Sequence, residues 1–186
     1  MRIIGGKNKG KKIDLPTDEK TRPLRDLVKE SIFNLILHSN KLKCVLANSR
    51  ILDLFSGTGS FGLECYSRGA KHVTFVENYF SVLKILKKNI TSISANNSTK
   101  IIEKDCFQYF ETQQNLTNEY DLIFLDPPYK ERKVNLLIDK FKESQILKEN
   151  GIIILHRHKK DEMEISESLK ILETRNYGIS KVIIGN

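Results

Sequence analysis

Two stretches carry residue types and spacings that could do chemistry. The first is Asp126-Pro127-Pro128-Tyr129, which closes the apolar run Tyr120-Asp121-Leu122-Ile123-Phe124-Leu125. Each proline fixes its own φ and lacks an N–H, so the turn offers backbone carbonyls as pure acceptors beside the Asp126 carboxylate. Acceptors next to one aromatic face suit a flat, amine-bearing ring. Such an amine is a poor nucleophile because its lone pair is delocalised into the ring. Acceptors on its N–H groups can orient it and favour a more localised lone pair. Asp126, Pro127 and Tyr129 are therefore the candidate catalytic residues, with Pro128 against the substrate. The second stretch is Ser56-Gly57-Thr58-Gly59-Ser60-Phe61-Gly62, which follows Ile51-Leu52-Asp53-Leu54-Phe55. Gly57 and Gly59 would let the backbone approach a ligand that a Cβ would push away. Glu77, about 20 residues on, would end the next strand and accept hydrogen bonds from two ribose hydroxyls. Asp105 would end the third strand, placed for an adenine amino group.

These groups need strand ends to hold them. The run 120–125, bounded by a rigid turn, reads as a buried parallel strand, and in open α/β sheets ligands sit outside the carboxyl ends of such strands. From Arg50 onward strand and helix patterns alternate, which implies parallel strands with right-handed crossovers. Strands are expected near 50–55, 72–77, 100–104, 120–125, 151–156, 169–175 and 179–184, with helices near 59–68, 79–96, 106–113, 133–143 and 161–167. The last two strands meet at Asn176-Tyr177-Gly178, too short for a crossover, so they should be antiparallel neighbours. The expected fold class is α/β, a doubly wound, mostly parallel seven-stranded sheet with one antiparallel strand. An N-terminal β-hairpin and a helix should precede it. Arg2-Ile3-Ile4 and Lys12-Ile13-Asp14-Leu15 flank a glycine-rich turn, and Thr21-Arg22-Pro23 opens a helix whose stripe is Leu24, Leu27, Val28, Ile32, Leu35 and Ile36. Arg22, Lys29 and Asn34 read individually as solvated surface. Residues 1–48 would form this extension and 49–186 the core of one domain.

A chain of 186 residues can bury a substantial core without disulfides or metal. Its formal charge of +8 raises the prior for a polyanionic partner. A membrane surface competes for that role, but no apolar run approaches the roughly 20 residues needed to span a bilayer. Cys44, Cys65 and Cys106 lie far apart without a C-x-x-C pair and read as reduced thiols. Met1 leads directly into a basic segment without an apolar leader, so a cytoplasmic protein is expected. Residues 1–12 hold Arg2, Lys7, Lys9, Lys11 and Lys12 and no acid. Such a hairpin can straddle phosphates or simply be a charge-protected, soluble edge. His38, His72, His156 and His158 lack metal-ligand spacing, so no metal is expected, and the run from His156 to Lys160 reads as basic surface.

The tetrapeptide at 126–129 resembles the [Asp/Asn]-Pro-Pro-[Tyr/Phe/Trp] signature of amino-group methyltransferases that use S-adenosylmethionine. Gly57-x-Gly59-x-x-Gly62 also satisfies a dinucleotide fingerprint, which keeps a nicotinamide or flavin enzyme open. Asp53 inside the strand and the proline turn favour S-adenosylmethionine. The candidate cofactor-binding set is Asp53, Ser56, Gly57, Gly59, Glu77, Asn78, Asp105 and Cys106. A longer ordered set covers nearly the whole chain: Met1-Arg2-Ile3-Ile4-Gly5-Gly6, Arg22-Pro23, Val28-Lys29-Glu30 with Phe33-Asn34, Asp53 to Gly59, Ser67-Arg68-Gly69-Ala70, Val76-Glu77, Asp126 to Tyr129, and Tyr177-Gly178. With it the chain resembles the bacterial RsmD family. That resemblance implies a Rossmann-like class I methyltransferase acting on N2 of one guanine, conventionally nucleotide 966, in 16S ribosomal RNA. It implies a substrate-binding set of Arg2, Lys7, Lys9, Lys11, Arg22 and Pro128. The expected partner is 16S rRNA in the small ribosomal subunit or an assembly intermediate, met by a monomer. Three departures stand out: Leu24 where the family usually has Thr, Leu27 in place of a frequent Arg, and His156 at a strand end often filled by Glu. A DNA adenine-N6 methyltransferase, or a catalytically silent RNA-binding or assembly module, remains as an alternative.

Overall fold

A computed structural model of the chain describes residues 1–17, 24–112 and 119–186. The elements in order are α1 (Asp26–His38), β1 (Arg50–Leu54), α2 (Ser60–Ser67), β2 (His72–Val76), α3 (Phe80–Ser92), β3 (Thr99–Ile102), α4 (Cys106–Thr112), β4 (Tyr120–Leu125), α5 (Val134–Glu143), β5 (Leu147–His158), β6 (Ile171–Tyr177) and β7 (Ser180–Gly185). Seven strands form one sheet in the order β3-β2-β1-β4-β5-β7-β6. β3, β2, β1, β4 and β5 run parallel, and β7 is antiparallel to both of its neighbours. This is the expected Rossmann-like architecture. The winding reverses between β1 and β4, whose last residues Leu54 and Leu125 pair with each other. A reversal of this kind opens a crevice at the strand ends.

The central strands are apolar on both sides because helices cover both faces. Ile51, Leu122, Phe124, Ile152 and Ile154 face a core shared with α1, α2, α3 and the buried Ile3 and Ile13 of the N-terminal segment. Leu52, Leu54, Ile123, Leu125, Ile153 and Leu155 face a second core with α4 and α5. Phe61 of α2 stacks on Phe124 of β4 with ring centroids 3.8 Å apart, and on its other side lies Phe33 of α1 at 5.2 Å. The extension before β1 is thereby packed into the same core as the sheet.

The N-terminal segment pairs as a short antiparallel hairpin: Arg2 bridges Lys12, the Ile3 N–H donates to the Lys11 carbonyl and the Ile13 N–H to the Met1 carbonyl, each at 2.9 Å, with Ile3 and Ile13 buried. Three expectations need correction. Leu27 is 68 % exposed, so the apolar stripe of α1 excludes it. Lys29, expected on the surface, is fully buried on that helix. Its ammonium donates to the Arg2 carbonyl at 2.9 Å and pairs with the buried Glu64 at 3.6 Å. Burial pushes the Lys29 ammonium below its ordinary value, against the pull of Glu64 and Asp26. Finally, 161–167 forms no helix. Side chains there capture the main chain instead: Asp161 accepts from the Met163 N–H, while Asn135 accepts from the Ser166 N–H and donates to the Glu164 carbonyl. Local bonds of this type compete directly with a helical ladder. The expected helix start at Thr21-Arg22-Pro23 lies outside the described residues.

Candidate active site

β1 ends at Leu54, and the chain turns through Phe55 at φ +55° into the glycine loop. The loop leaves N–H groups without helical partners, as any helix entry does. Glu77, just past β2, takes one of them: its Oε2 accepts from the Gly57 N–H at 2.7 Å. Its Oε1 accepts from the N–H groups of Asn78 and Tyr79 at 2.9 and 2.8 Å. A carboxylate offers about four lone-pair positions, so a ligand hydroxyl can still be accepted. Asp105 Oδ1 caps α4 through Phe107 and Gln108, and its Oδ2 accepts from the Asn78 side chain at 3.3 Å.

These groups surround a pocket of about 150 Å³ lined by Phe55, Val76, Glu77, Asn78, Lys104, Asp105, Cys106, Phe107, Pro128 and Glu131. It brings together Glu77, Asn78, Asp105, Cys106 and Pro128 from the sequence-based set. Phe55 and Phe107, whose rings meet edge to face at 6.1 Å, supply apolar walls that sequence reasoning did not single out. Lys104 and Glu131 are likewise additions.

Other members of the cofactor set act on the loop itself. Asp53 is 1 % exposed, and its Oδ2 accepts from the Gly62 N–H at 2.9 Å. It ties α2 to β1 and is not part of the pocket lining. Burial raises its carboxyl well above the ordinary range, opposed by the Gly62 hydrogen bond and helped by Asp126 and Glu77. Ser56 is buried and donates to the Val76 carbonyl. The two glycines divide the work. A Cβ on Gly57, at φ +54°, would meet nothing within 4 Å, so the loop is open there. A Cβ on Gly59, at φ +79°, would stand 2.4 Å from Leu86 Cδ1, so core packing and backbone conformation demand that glycine.

Across the switch point the proline turn follows β4. Asp126 is 21 % exposed, and its Oδ1 lies 2.7 Å from His156 Nδ1. His156 and Arg157 belong to the stretch expected as basic surface, yet both are buried at the end of β5. Arg157 is 1 % exposed and donates to the carbonyls of Pro128, Tyr129 and Glu131 at 3.2, 3.1 and 3.0 Å. Asp161 neutralises it. A buried guanidinium so engaged is a clamp on the turn. Tyr129 meets the His158 ring edge to face at 5.4 Å and is otherwise half-buried.

The cationic candidates are spread out. Arg2 lies near the start of α2 through the Lys29 ammonium, which also donates to Ser60. Lys7 and Asn8 instead bond to Ser67, at the far end of α2, and the Lys7 ammonium lies 3.8 Å over the Tyr66 ring. Lys9 and Lys11 are exposed. Arg22 lies outside the described residues.

The family profile described as "Conserved hypothetical protein 95" matches residues 1–186. The chain is 32 % identical over 180 residues to Ribosomal RNA small subunit methyltransferase D of Haemophilus influenzae, covering 96 % of this chain and 90 % of the relative. The chain belongs to the RsmD family. Ribosomal RNA small subunit methyltransferase D of Buchnera aphidicola from Acyrthosiphon pisum is 31 % identical, over 89 % of this chain and 82 % of the relative. An RNA methyltransferase of Salinibacter ruber, solved with S-adenosyl-L-homocysteine, superposes with a TM-score of 0.62 at 16 % identity, over 88 % of this chain and 92 % of that one. At that identity it speaks for the RsmD chain's fold alone. The ordered motifs of the sequence thus lead to the right family, and the burial of His156 and Arg157 against the proline turn is what they left unread.

Proposed function

We propose that the protein is an S-adenosylmethionine-dependent methyltransferase acting on the exocyclic N2 amine of a guanine, conventionally nucleotide 966, in 16S rRNA. Its substrate would be the small ribosomal subunit or an assembly intermediate, met in the cytoplasm by a single-domain monomer. The observation that carries this reading is the placement of Asp126-Pro127-Pro128-Tyr129 beside the glycine loop at the β1/β4 switch point, with a pocket running from Glu77 to Pro128.

The pocket fits the cofactor's polar and flat parts. Glu77 has acceptor capacity left for a ribose hydroxyl, Asn78 and Asp105 offer polar atoms for an adenine edge, and Phe55 and Phe107 offer apolar faces. When bound, the cofactor supplies an electrophilic sulfonium methyl. The protein's own task is then alignment, and the family names of its relatives make rRNA the substrate to align. Arg157 engages the carbonyls of Pro128, Tyr129 and Glu131 and not that of Pro127. The Asp126 carboxylate and the Pro127 carbonyl are therefore the acceptors left to hold the amine. Tyr129 would stack on a base taken out of its neighbours, as enzymes acting on bases commonly require. After transfer the amine is cationic and acidic, and it loses a proton to Asp126 or water.

The test is single-turnover methylation of small-subunit particles, with cofactor binding measured on the same preparations. Asp126→Ala should bind S-adenosylmethionine nearly normally while transfer falls by about two to four orders of magnitude. Transfer at the parental rate would remove the turn from the mechanism. Mass spectrometry of the product RNA then locates the methyl, and a modified atom other than guanine N2 overturns the substrate reading.

A further inference from the structure

His156 is held at both ring nitrogens. Nδ1 lies 2.7 Å from Asp126 Oδ1, and Nε2 lies 2.8 Å from Ser180 Oγ at the start of β7. The side chain is 7 % exposed, and Ser180 is buried. One neutral tautomer satisfies both contacts. Nδ1–H donates to the carboxylate, and Nε2 accepts from the serine hydroxyl. The opposite tautomer would set a ring lone pair against a carboxylate oxygen.

We propose that His156 is a positioning residue for methyl transfer, which pins Asp126 Oδ1 through Nδ1–H and leaves Oδ2 to accept from the substrate amine, with Ser180 setting the tautomer. This rests on the reading of Asp126 given above. Asp126 precedes a turn whose backbone Arg157 already clamps, so its remaining freedom is side-chain rotation. A charge-assisted hydrogen bond to one oxygen removes that freedom and keeps the second oxygen directed. Adjacent residues of a strand point to opposite faces. His156 and Arg157 therefore divide the job: one holds the carboxylate, the other the carbonyls.

The substitutions that test this separate the two ring contacts. His156→Ala should lower the single-turnover rate about 10- to 100-fold, the scale on which small misplacement of a reacting group costs rate, with cofactor affinity unchanged. Asn carries its amide nitrogen at the position of Nδ1, so His156→Asn should recover most of that loss. Gln places its amide near Nε2, so His156→Gln should keep the Ser180 contact and recover little. Proton–nitrogen correlation NMR of the parental ring should show Nδ1 protonated at neutral pH. Nε2 protonation, or a Gln variant faster than Asn, overturns the proposal. Asp126→Ala run alongside distinguishes the failures. If it is slow while His156→Ala keeps the parental rate, only the role of His156 falls; if Asp126→Ala is itself unimpaired, the reading of the turn falls first.

Discussion

The two halves of the crevice are built with opposite polarity. At the ends of β1, β2 and β3, carboxylates receive backbone N–H groups: Asp53 from Gly62, Glu77 from Gly57, Asn78 and Tyr79, Asp105 from Phe107 and Gln108. At the ends of β4 and β5, a guanidinium gives its N–H groups to backbone carbonyls of the proline turn. The difference follows from what each loop lacks. Loops that open helices expose donors, and acids complete them. A Pro-Pro turn exposes acceptors and has two donors fewer, so a cation must complete it. Each strand-end side chain answers the hydrogen-bonding deficit of the loop beside it.

The largest expected effect comes from removing the cation. Arg157→Met leaves Asp161 Oδ2 and three carbonyls without that donor, with Arg132 and the Met163 N–H still on Oδ1, and breaking a buried pair of this kind costs about 3–5 kcal/mol. The denaturation midpoint should fall accordingly, and transfer should fall with it. Arg157→Lys keeps the charge but not the planar fork, so it should retain stability better than it retains transfer. Cofactor affinity of the folded fraction should fall less than transfer, because Pro128 and Glu131 form only one wall of the pocket and Glu77, Asn78 and Asp105 are held without Arg157. An equal loss of cofactor affinity would show that the two halves are one unit.

Next is Glu77→Ala, which removes acceptors on the other side. It should weaken S-adenosylmethionine binding by roughly 1.5–3 kcal/mol if charge-assisted hydrogen bonds are lost. The bonds to Gly57, Asn78 and Tyr79 go with it, so part of that loss would come through the loop. Calorimetry showing unchanged affinity would take Glu77 out of the cofactor site.

The halves should also respond to acid with opposite signs. Burial pushes Asp161 upward, but the Met163 N–H and the Arg157 and Arg132 guanidiniums outweigh it and hold the carboxyl below its ordinary 3.8. A depressed folded value gives stability that is present above 3.8 and lost as pH falls through the folded value. Asp53, raised by burial, stabilises the fold below 3.8, and that contribution is lost as pH rises through its folded value. Asp161→Asn should therefore cost more at neutral pH than near pH 3, and Asp53→Asn should look more favourable at neutral pH than near pH 3. Urea midpoints at the two pH values check both. The same sign for both would break the contrast.

Much of the acid-lined half was legible in sequence because its partners are near: Asp105 caps a helix two and three residues on, and Asp53 and Gly62 are nine apart. The parallel strands were equally readable, since burial on both faces leaves unbroken runs such as Ile152 to Leu155. The proline half was not. Arg157 meets the turn from 26 to 29 residues away, and nothing in a run of His, Arg, His and two Lys marks the arginine as interior. Lys29 hid for the same reason: a long cation on an amphipathic helix looks solvated until Arg2, Ser60 and Glu64 are placed around it. Residues 161–167 were expected as a helix, but the Asp161 side chain accepts from the nearby Met163 N–H, and Asn135 of α5 takes the Ser166 N–H and the Glu164 carbonyl.

The smallest effect tests what lies outside both halves. The acid-free N-terminal segment suggests phosphate binding, yet Lys7 and Asn8 are fastened to Ser67, the C-terminal residue of α2, whereas the glycine loop lies at its N-terminus. Eight helical residues separate the two ends by about 12 Å. Lys7 also rests on Tyr66, and it would surrender that ring to reach a phosphate. From there Lys7 would touch strands flanking the target and not the target nucleotide. Lys130, Lys159 and Lys160, exposed beside Tyr129 and His158 and without an ion pair among the described residues, are closer to the turn. Replacing Lys7, Lys9 and Lys11 with Gln should weaken RNA binding and flatten its salt dependence by up to about 0.7–0.9 slope units for each phosphate no longer neutralised. Cofactor affinity and the transfer rate at saturating RNA should stay at parental values, because alignment at Asp126 is untouched. The same replacement at Lys159 and Lys160 should flatten the slope and also slow transfer. An unchanged slope in the first variant returns the N-terminal cations to a soluble, charge-protected edge and leaves the turn's rim as the surface that meets the RNA.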